Sequence, residues 1–176
     1  MGPDGWPVEF YLHFFNLVSL DILNVVEHSR MEGRVTGALN STFITRIPKC
    51  DKPLYFFDFR PISLCNLIYK TISKLATNRL NPLLDRSISK NQFGFLHNRQ
   101  IIELVGIAQE TLHSKNRRKE KVMVLKLDLV KAFHRVNWTF LRLVLLQIGV
   151  PVMGVNWIMG CVESSNFVVL INGIPS

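Results

Sequence analysis

Apolar positions along this chain recur at two spacings, and the changes from one spacing to the other divide it into elements. Gly2 to Pro7 is turn chemistry, with glycine and proline at both ends. From Glu9 to about His28 the apolar residues fall at helical intervals (Phe10, Phe14, Leu17, Val18, Ile22, Val25, Val26), and Gly33 and Gly37 break the run. Thr42 to Ile47 is a short β-prone run closed by Pro48-Lys49. Lys49 to Phe59 mixes charge, proline and aromatics and reads as a loop or hairpin between short strands. Pro61 is then expected to open a helix with Leu64, Leu67, Ile68, Ile72, Leu75 and Ala76 on one face, and Pro82 to stop it.

Ser89 to Arg99 reads as a loop, Ile101 to His113 as another amphipathic helix, and Asn116 to Lys121 as a solvated charge run. Val122, Val124, Leu125, Leu127 and Leu129 then form a β-prone apolar run with Asp128 near its end. From about Lys131 the spacing turns helical through Ala132, Phe133, Val136, Phe140, Leu141, Val144 and Leu145. A buried strand handing over to a helix can hold one carboxylate rigidly at a cleft, because a central strand tolerates charge only where it emerges. An aspartate there is more often a cap or turn residue, so its local setting leaves both readings open. Past the Gly149-Val150-Pro151 break, Trp157, Ile158, Cys161 and Val162 predict a short helix. Phe167 to Ile171 predicts a strand, and Asn172-Gly173 a two-residue hairpin turn. The return strand of that hairpin is expected to be missing, and the chain is therefore expected to be a fragment.

Composition sharpens this picture. Of 176 residues 48% are hydrophobic, 12 of them Phe, which argues for a packed core and against disorder. A net charge of +8 favours an anionic partner, nucleic acid first among them. Cys50, Cys65 and Cys161 are far apart and form no CxxC pair, which suits a reducing compartment and offers no zinc site. There is no basic stretch ahead of an apolar core at the start, and no apolar run of about 18 residues. The expectation is an intracellular protein, nuclear or cytoplasmic, without a membrane partner. Lys70, Lys74 and Asn78 repeat at i, i+4 opposite the apolar stripe, with Arg79 beside them. Such a stripe is either an ordinary solvated face or a phosphate-contacting one.

The stretches GPDGWPVEFY, LNSTFITRIPK, DFRPISLCNLIYKTISKLATNRL, NQFGF with Arg99, KLDLVKAFHRVNWTFL and LINGIP keep an order and spacing that resembles one family. It is the reverse transcriptase of non-long-terminal-repeat (LINE-type) retrotransposons, most closely the plant ones. The resemblance implies an α+β fold, a partial right-hand polymerase with helix-rich fingers over residues 1–118 and an incomplete palm sheet over 119–176. It implies an RNA-directed DNA polymerase working on an RNA template, a DNA primer and dNTPs with Mg2+. Asp128 would be the first catalytic carboxylate and metal ligand, with the Leu129 carbonyl beside it; carboxylate oxygen suits magnesium. Phe133 would pack under the sugar and exclude a 2′-hydroxyl, although by periodicity alone it is a core residue. Lys49 and Arg60 would grip the triphosphate, which calls for fixed cationic donors. Lys70, Lys74, Arg79 and Arg99 would line the template–primer path.

Two departures from the family stand out. His134 replaces a usual aspartate, and neither the glycine-rich motif nor the aromatic-x-Asp-Asp motif that follows in the family is present. Glu120 and Glu163 are the nearby acids, and neither matches a family position. Two-metal chemistry needs more than one carboxylate, so the chain by itself is expected to lack polymerase activity. The competing expectations are a basic nucleic-acid-binding remnant without chemistry and a pseudogene product that folds poorly.

Overall fold

The computed structural model describes residues 2–175 apart from Val130, Lys131 and Asn172, and the side chains of Phe133 and His134 also lie outside the description. The elements run α1 (Val8–His13), α2 (Phe15–Glu32), β1 (Ser41–Pro48), β2 (Phe59–Cys65), α3 (Leu67–Ser87), α4 (Ile101–Arg117), α5 (Trp138–Gln147), α6 (Val152–Glu163), β3 (Asn166–Ile171) and β4 (Ile174–Pro175). This is the expected α+β class, with a four-stranded mixed sheet ordered β2-β1-β3-β4. The chain forms two compact units, Met1–Asn78 with Val150–Ser176, and Arg79–Gly149. These bounds differ from the fingers and palm partition expected near residue 118.

In the first unit the core lies among α2, α6 and the first half of α3. Val26, Val35, Ile72, Ala76, Trp157 and Cys161 are buried together, with Ile22, Ile68 and Tyr69 packed against them. Each helix contributes one apolar stripe, and stripes of this kind are stable only when they cover one another. Gly33 ends α2 in the left-handed conformation (φ 65°). α6 crosses so near that a Cβ on Gly160 would stand 2.3 Å from the Gly33 carbonyl oxygen and 2.8 Å from the Arg34 Cα.

Polar groups inside this core are paired, as burial demands. Trp157 Nε1 donates to Ser29 Oγ at 2.8 Å. The Cys161 carbonyl, one of the last in α6 and without a partner in the helix, accepts from the Tyr69 hydroxyl (2.9 Å) and from Asn40 Nδ2 (3.2 Å). Asn40 also donates to Ser164 Oγ (2.7 Å), and its own carbonyl accepts from Asn166 N (3.3 Å), the first residue of β3. One buried asparagine thus fixes the end of α6 and the start of the parallel pairing of β1 with β3, from Ser41↔Asn166 to Ile44↔Val169. Asn66 does similar work at the entry to α3: its amide donates to the Ala38 and Leu39 carbonyls, and its Oδ1 accepts from Asp4 N at 3.1 Å.

The structure corrects three sequence expectations. Residues 61–65 are strand and not helix, because β1 offers them a full antiparallel register from Thr42↔Cys65 to Pro48↔Phe59. The helix therefore starts only after Asn66. Pro82 does not stop α3, which continues to Ser87. Proline removes one helical hydrogen bond, and Pro82 and Asn78 are both exposed, so the freed Asn78 carbonyl can bond to water. Most consequentially, the run from Val122 to Leu129 forms no strand: it is irregular, and Leu127 and Leu129 are 79% and 78% exposed. β-propensity reflects fit to a pleated surface with neighbours, and no described strand pairs with this run.

A fourth expectation, that the return strand after the Asn172-Gly173 turn is missing, is also corrected: β4 supplies it over two residues, with Ile171↔Ile174 and Leu170↔Pro175 paired. Gly173 takes the positive φ (81°) that such a turn requires. Among the described residues no helix is long and apolar enough to cross a membrane.

Candidate nucleic-acid and metal site

Lys49 and Arg60 come together at one end of the β1–β2 hairpin. Arg60 is paired with Ile47 across the ladder, and Lys49 follows the last residue of β1. Lys49 N donates to the Asp58 carbonyl at 2.7 Å, and its ammonium donates to the Phe57 carbonyl at 2.7 Å. Asp58 organises the connection: its Oδ2 accepts from the backbone N–H groups of Leu54 (3.0 Å) and Tyr55 (2.9 Å). Those two bonds, Tyr55 first, hold the Asp58 carboxyl below the usual carboxylate range. Arg46 lies over the Phe59 ring, 5.5 Å from its centroid. The hairpin end is thus a braced turn with exposed cations on both strands.

On α3, Lys70 and Lys74 are exposed one turn apart and line a shallow open depression with Thr71 and Leu75. Thr71 returns its hydroxyl to the Leu67 carbonyl (3.0 Å), so the two ammonium groups are the polar features available to a ligand there. Arg79, also exposed, begins the second unit.

Arg99 is used differently. Its guanidinium donates to the carbonyls of Ser89 (2.5 Å), Gln92 (2.7 Å), Ile88 (3.2 Å) and Asp85 (3.4 Å). It ties the loop after α3 to that helix's C-terminal end, where carbonyls lack helical partners and a cation is favoured. Four carbonyl contacts leave little of the fork for phosphate.

Asp128 and Leu129 are exposed in the irregular stretch of the second unit. The neighbouring Val130 and Lys131 and the Phe133 side chain lie outside the described residues; the helical spacing expected from about Lys131 appears as a 3-10 turn at Ala132–Arg135 and then as α5, which carries Phe140, Leu141, Val144 and Leu145. Lys49 and Arg60 belong to the first unit and Asp128 to the second.

Residues 47–175 match the family of the reverse transcriptase (RNA-dependent DNA polymerase). The chain belongs to the reverse transcriptase family. A relative is the Transposon TX1 uncharacterized 149 kDa protein of Xenopus laevis, 27% identical over 140 residues that cover 80% of this chain and 11% of the relative. The chain therefore spans about a ninth of the length of the curated relative it matches.

Intact reverse transcriptases work with Mg2+, and the residues here can be tested against that requirement. Among the described residues no three His, Cys, Asp or Glu side chains gather where they could hold a metal ion. Asp128 supplies one carboxylate of the correct hard-oxygen type, and one is fewer than a pair of catalytic ions requires. The described residues of this reverse transcriptase chain do not fit a complete two-metal centre.

Sequence reasoning missed the bracing role of Arg99, whereas the aromatic loop or hairpin expected over Lys49 to Phe59 is the β1–β2 turn. An arginine twelve residues past the end of α3 gave no local sign that it reaches back.

Proposed function

We propose that this chain is the fingers and first part of the palm of a LINE-type, non-long-terminal-repeat retrotransposon reverse transcriptase, with residues 1–118 in the fingers role and 119–176 in the palm role. The observation that carries the reading is the family match across residues 47–175, within which the candidate cations and Asp128 fall in the family's order. Lys49 and Arg60 grip the triphosphate of the incoming dNTP, and their shared hairpin end supports this. Lys70, Lys74 and Arg79 contact the template–primer backbone, whereas Arg99 chiefly braces the loop before α4. Asp128 serves as first carboxylate ligand, with the Leu129 carbonyl beside it and Phe133 under the sugar. In the intact enzyme Asp128 and the Leu129 carbonyl would form part of a Mg2+ site, whose chemistry would be activation of the primer hydroxyl and stabilisation of the leaving pyrophosphate. The protein works inside the cell, in nucleus or cytoplasm, where template RNA is found.

With one matching carboxylate, the purified chain is expected to hold template–primer without extending it. In a primer-extension assay with Mg2+, incorporation should not exceed that of a protein-free blank, and incorporation abolished by Asp128→Ala would overturn this. Binding to template–primer should weaken steeply with salt and survive Asp128→Ala, because phosphate contacts carry it. That pairing, binding without incorporation, is also what a non-catalytic nucleic-acid-binding remnant does. The exposed Lys70–Lys74 face gives this second reading its support.

A further inference from the structure

The turn joining β1 to β2 carries four consecutive large apolar side chains in solvent: Leu54, Tyr55, Phe56 and Phe57 are 82%, 70%, 74% and 76% exposed. A lone exposed apolar residue needs no explanation, but a contiguous patch marks a contact surface. This patch is built. Asp58 clamps the Leu54 and Tyr55 amides, Lys49 holds the Phe57 and Asp58 carbonyls, and Phe56–Asp58 is a 3-10 turn. The rings are therefore presented by a backbone already fixed, so little ordering entropy opposes binding.

The surroundings are cationic. Arg46, Lys49, Lys52 and Arg60 flank the turn, and among the described residues none of them forms a salt bridge. The acids nearby are Asp51 and Asp58, and Asp58 is occupied by the backbone. Aromatic rings within a cationic rim complement a ligand with flat apolar faces on an anionic backbone.

We propose that the turn is a stacking platform for unpaired bases of single-stranded nucleic acid, with Tyr55, Phe56 and Phe57 under the bases and Arg46 and Lys52 along the phosphates. Bases in a duplex already stack on their neighbours, so the platform selects single strands. Every base has a π-face, so it reads no sequence. The inference deepens the proposed function in that nucleic acid is the ligand class, and it requires no catalysis at Asp128.

The test is fluorescence anisotropy of the full chain with a labelled oligodeoxythymidine of about 20 nucleotides, longer than one such groove covers. A duplex of equal length and phosphatidylserine-containing vesicles serve as comparisons. Tyr55→Ala/Phe56→Ala/Phe57→Ala should weaken single-strand binding by about tenfold or more, as expected from losing stacking contacts. Duplex affinity and the salt slope should stay unchanged, since both are set by phosphate contacts. Phe56→Leu/Phe57→Leu, apolar without a π-face, should also lose single-strand affinity. All substituted residues are exposed, and an unchanged melting temperature verifies the fold. Equal single-strand binding by every variant overturns the inference, and so does full affinity in the leucine variant or a loss confined to vesicles. If the unaltered chain binds no nucleic acid, the functional reading falls with it; if it binds and the rings do not matter, only the platform falls.

Discussion

The core around Trp157 and the run from Val122 to Leu129 are alike in apolar content and opposite in environment. Val155, Trp157, Met159 and Cys161 are buried on α6, while Val122, Val124, Leu125, Leu127 and Leu129 face solvent. Partners make the difference. α6 satisfies its own backbone hydrogen bonds and then meets α2, and its last carbonyls find Tyr69 and Asn40. A strand cannot satisfy its backbone alone and needs a neighbouring edge, and the four described strands pair among themselves. An apolar run therefore predicts burial only where a complementary surface exists.

The largest expected contrast follows from removing one side chain on each side of this comparison. Trp157→Ala should destabilise the chain by about 3–5 kcal/mol, the usual cost of deleting a buried aromatic. Trp157→Phe should cost less, chiefly through the lost bond to Ser29 Oγ, which is left buried without its donor. Urea unfolding measures both. A Trp157→Ala midpoint equal to that of the unaltered chain would show that the α2–α6 core does not hold the fold. A cooperative transition in the unaltered chain would itself count against a poorly folded pseudogene product.

Much of this core was legible in the sequence, since the helical spacing of Ile22, Val26, Ile68, Ile72, Leu75 and Ala76 marks the faces that meet. Other parts were not, for separate physical reasons. Pro61 suggested a helix start, and only the long-range register with β1 makes it strand. The need for glycine at position 160 comes from the Gly33 carbonyl, which lies far away in sequence. Asn40 looked like an ordinary loop polar residue, yet its role depends on α6 ending beside it. In the candidate site, the Lys49 and Arg60 juxtaposition follows from a hairpin that the sequence left open as loop or hairpin. The handover at Asp128 was read from a strand pattern that finds no partner among the described strands.

A smaller effect separates the two regions by pH. Burial pushes the Cys161 thiol up to about 11 and also raises the Tyr69 hydroxyl. For groups whose folded pKa is raised, the unfolded chain gives up its protons first. Stability is then fully present below the unfolded thiol value, near 9, and is lost as pH rises from there towards about 11. The urea midpoint should fall across that window, and Cys161→Ala should flatten part of the fall while leaving the Tyr69 share. A midpoint that holds or rises in the unaltered chain would place Cys161 outside the core. Native-state alkylation gives a second view: exposed Cys50 should react quickly and Cys161 slowly.

The smallest effect is the most pointed, because it is expected to be nearly nil. Val124→Ser and Leu127→Ser remove apolar groups from a run that reads as a buried strand, and in such a strand each change would cost on the order of 2 kcal/mol. In the exposed setting observed, each should shift stability by less than about 0.5 kcal/mol, the usual range for surface substitutions. Amide hydrogen exchange over residues 122–129 should likewise be fast, since the backbone there joins no described ladder. Destabilisation comparable to that of a core substitution, with slow exchange, would mean that this run is paired and buried in solution. Asp128 would then sit at a strand end as its sequence suggests. Should added nucleic acid slow exchange in residues 122–129 while leaving α6 unchanged, the run would gain a backbone partner only in the nucleic-acid-bound state.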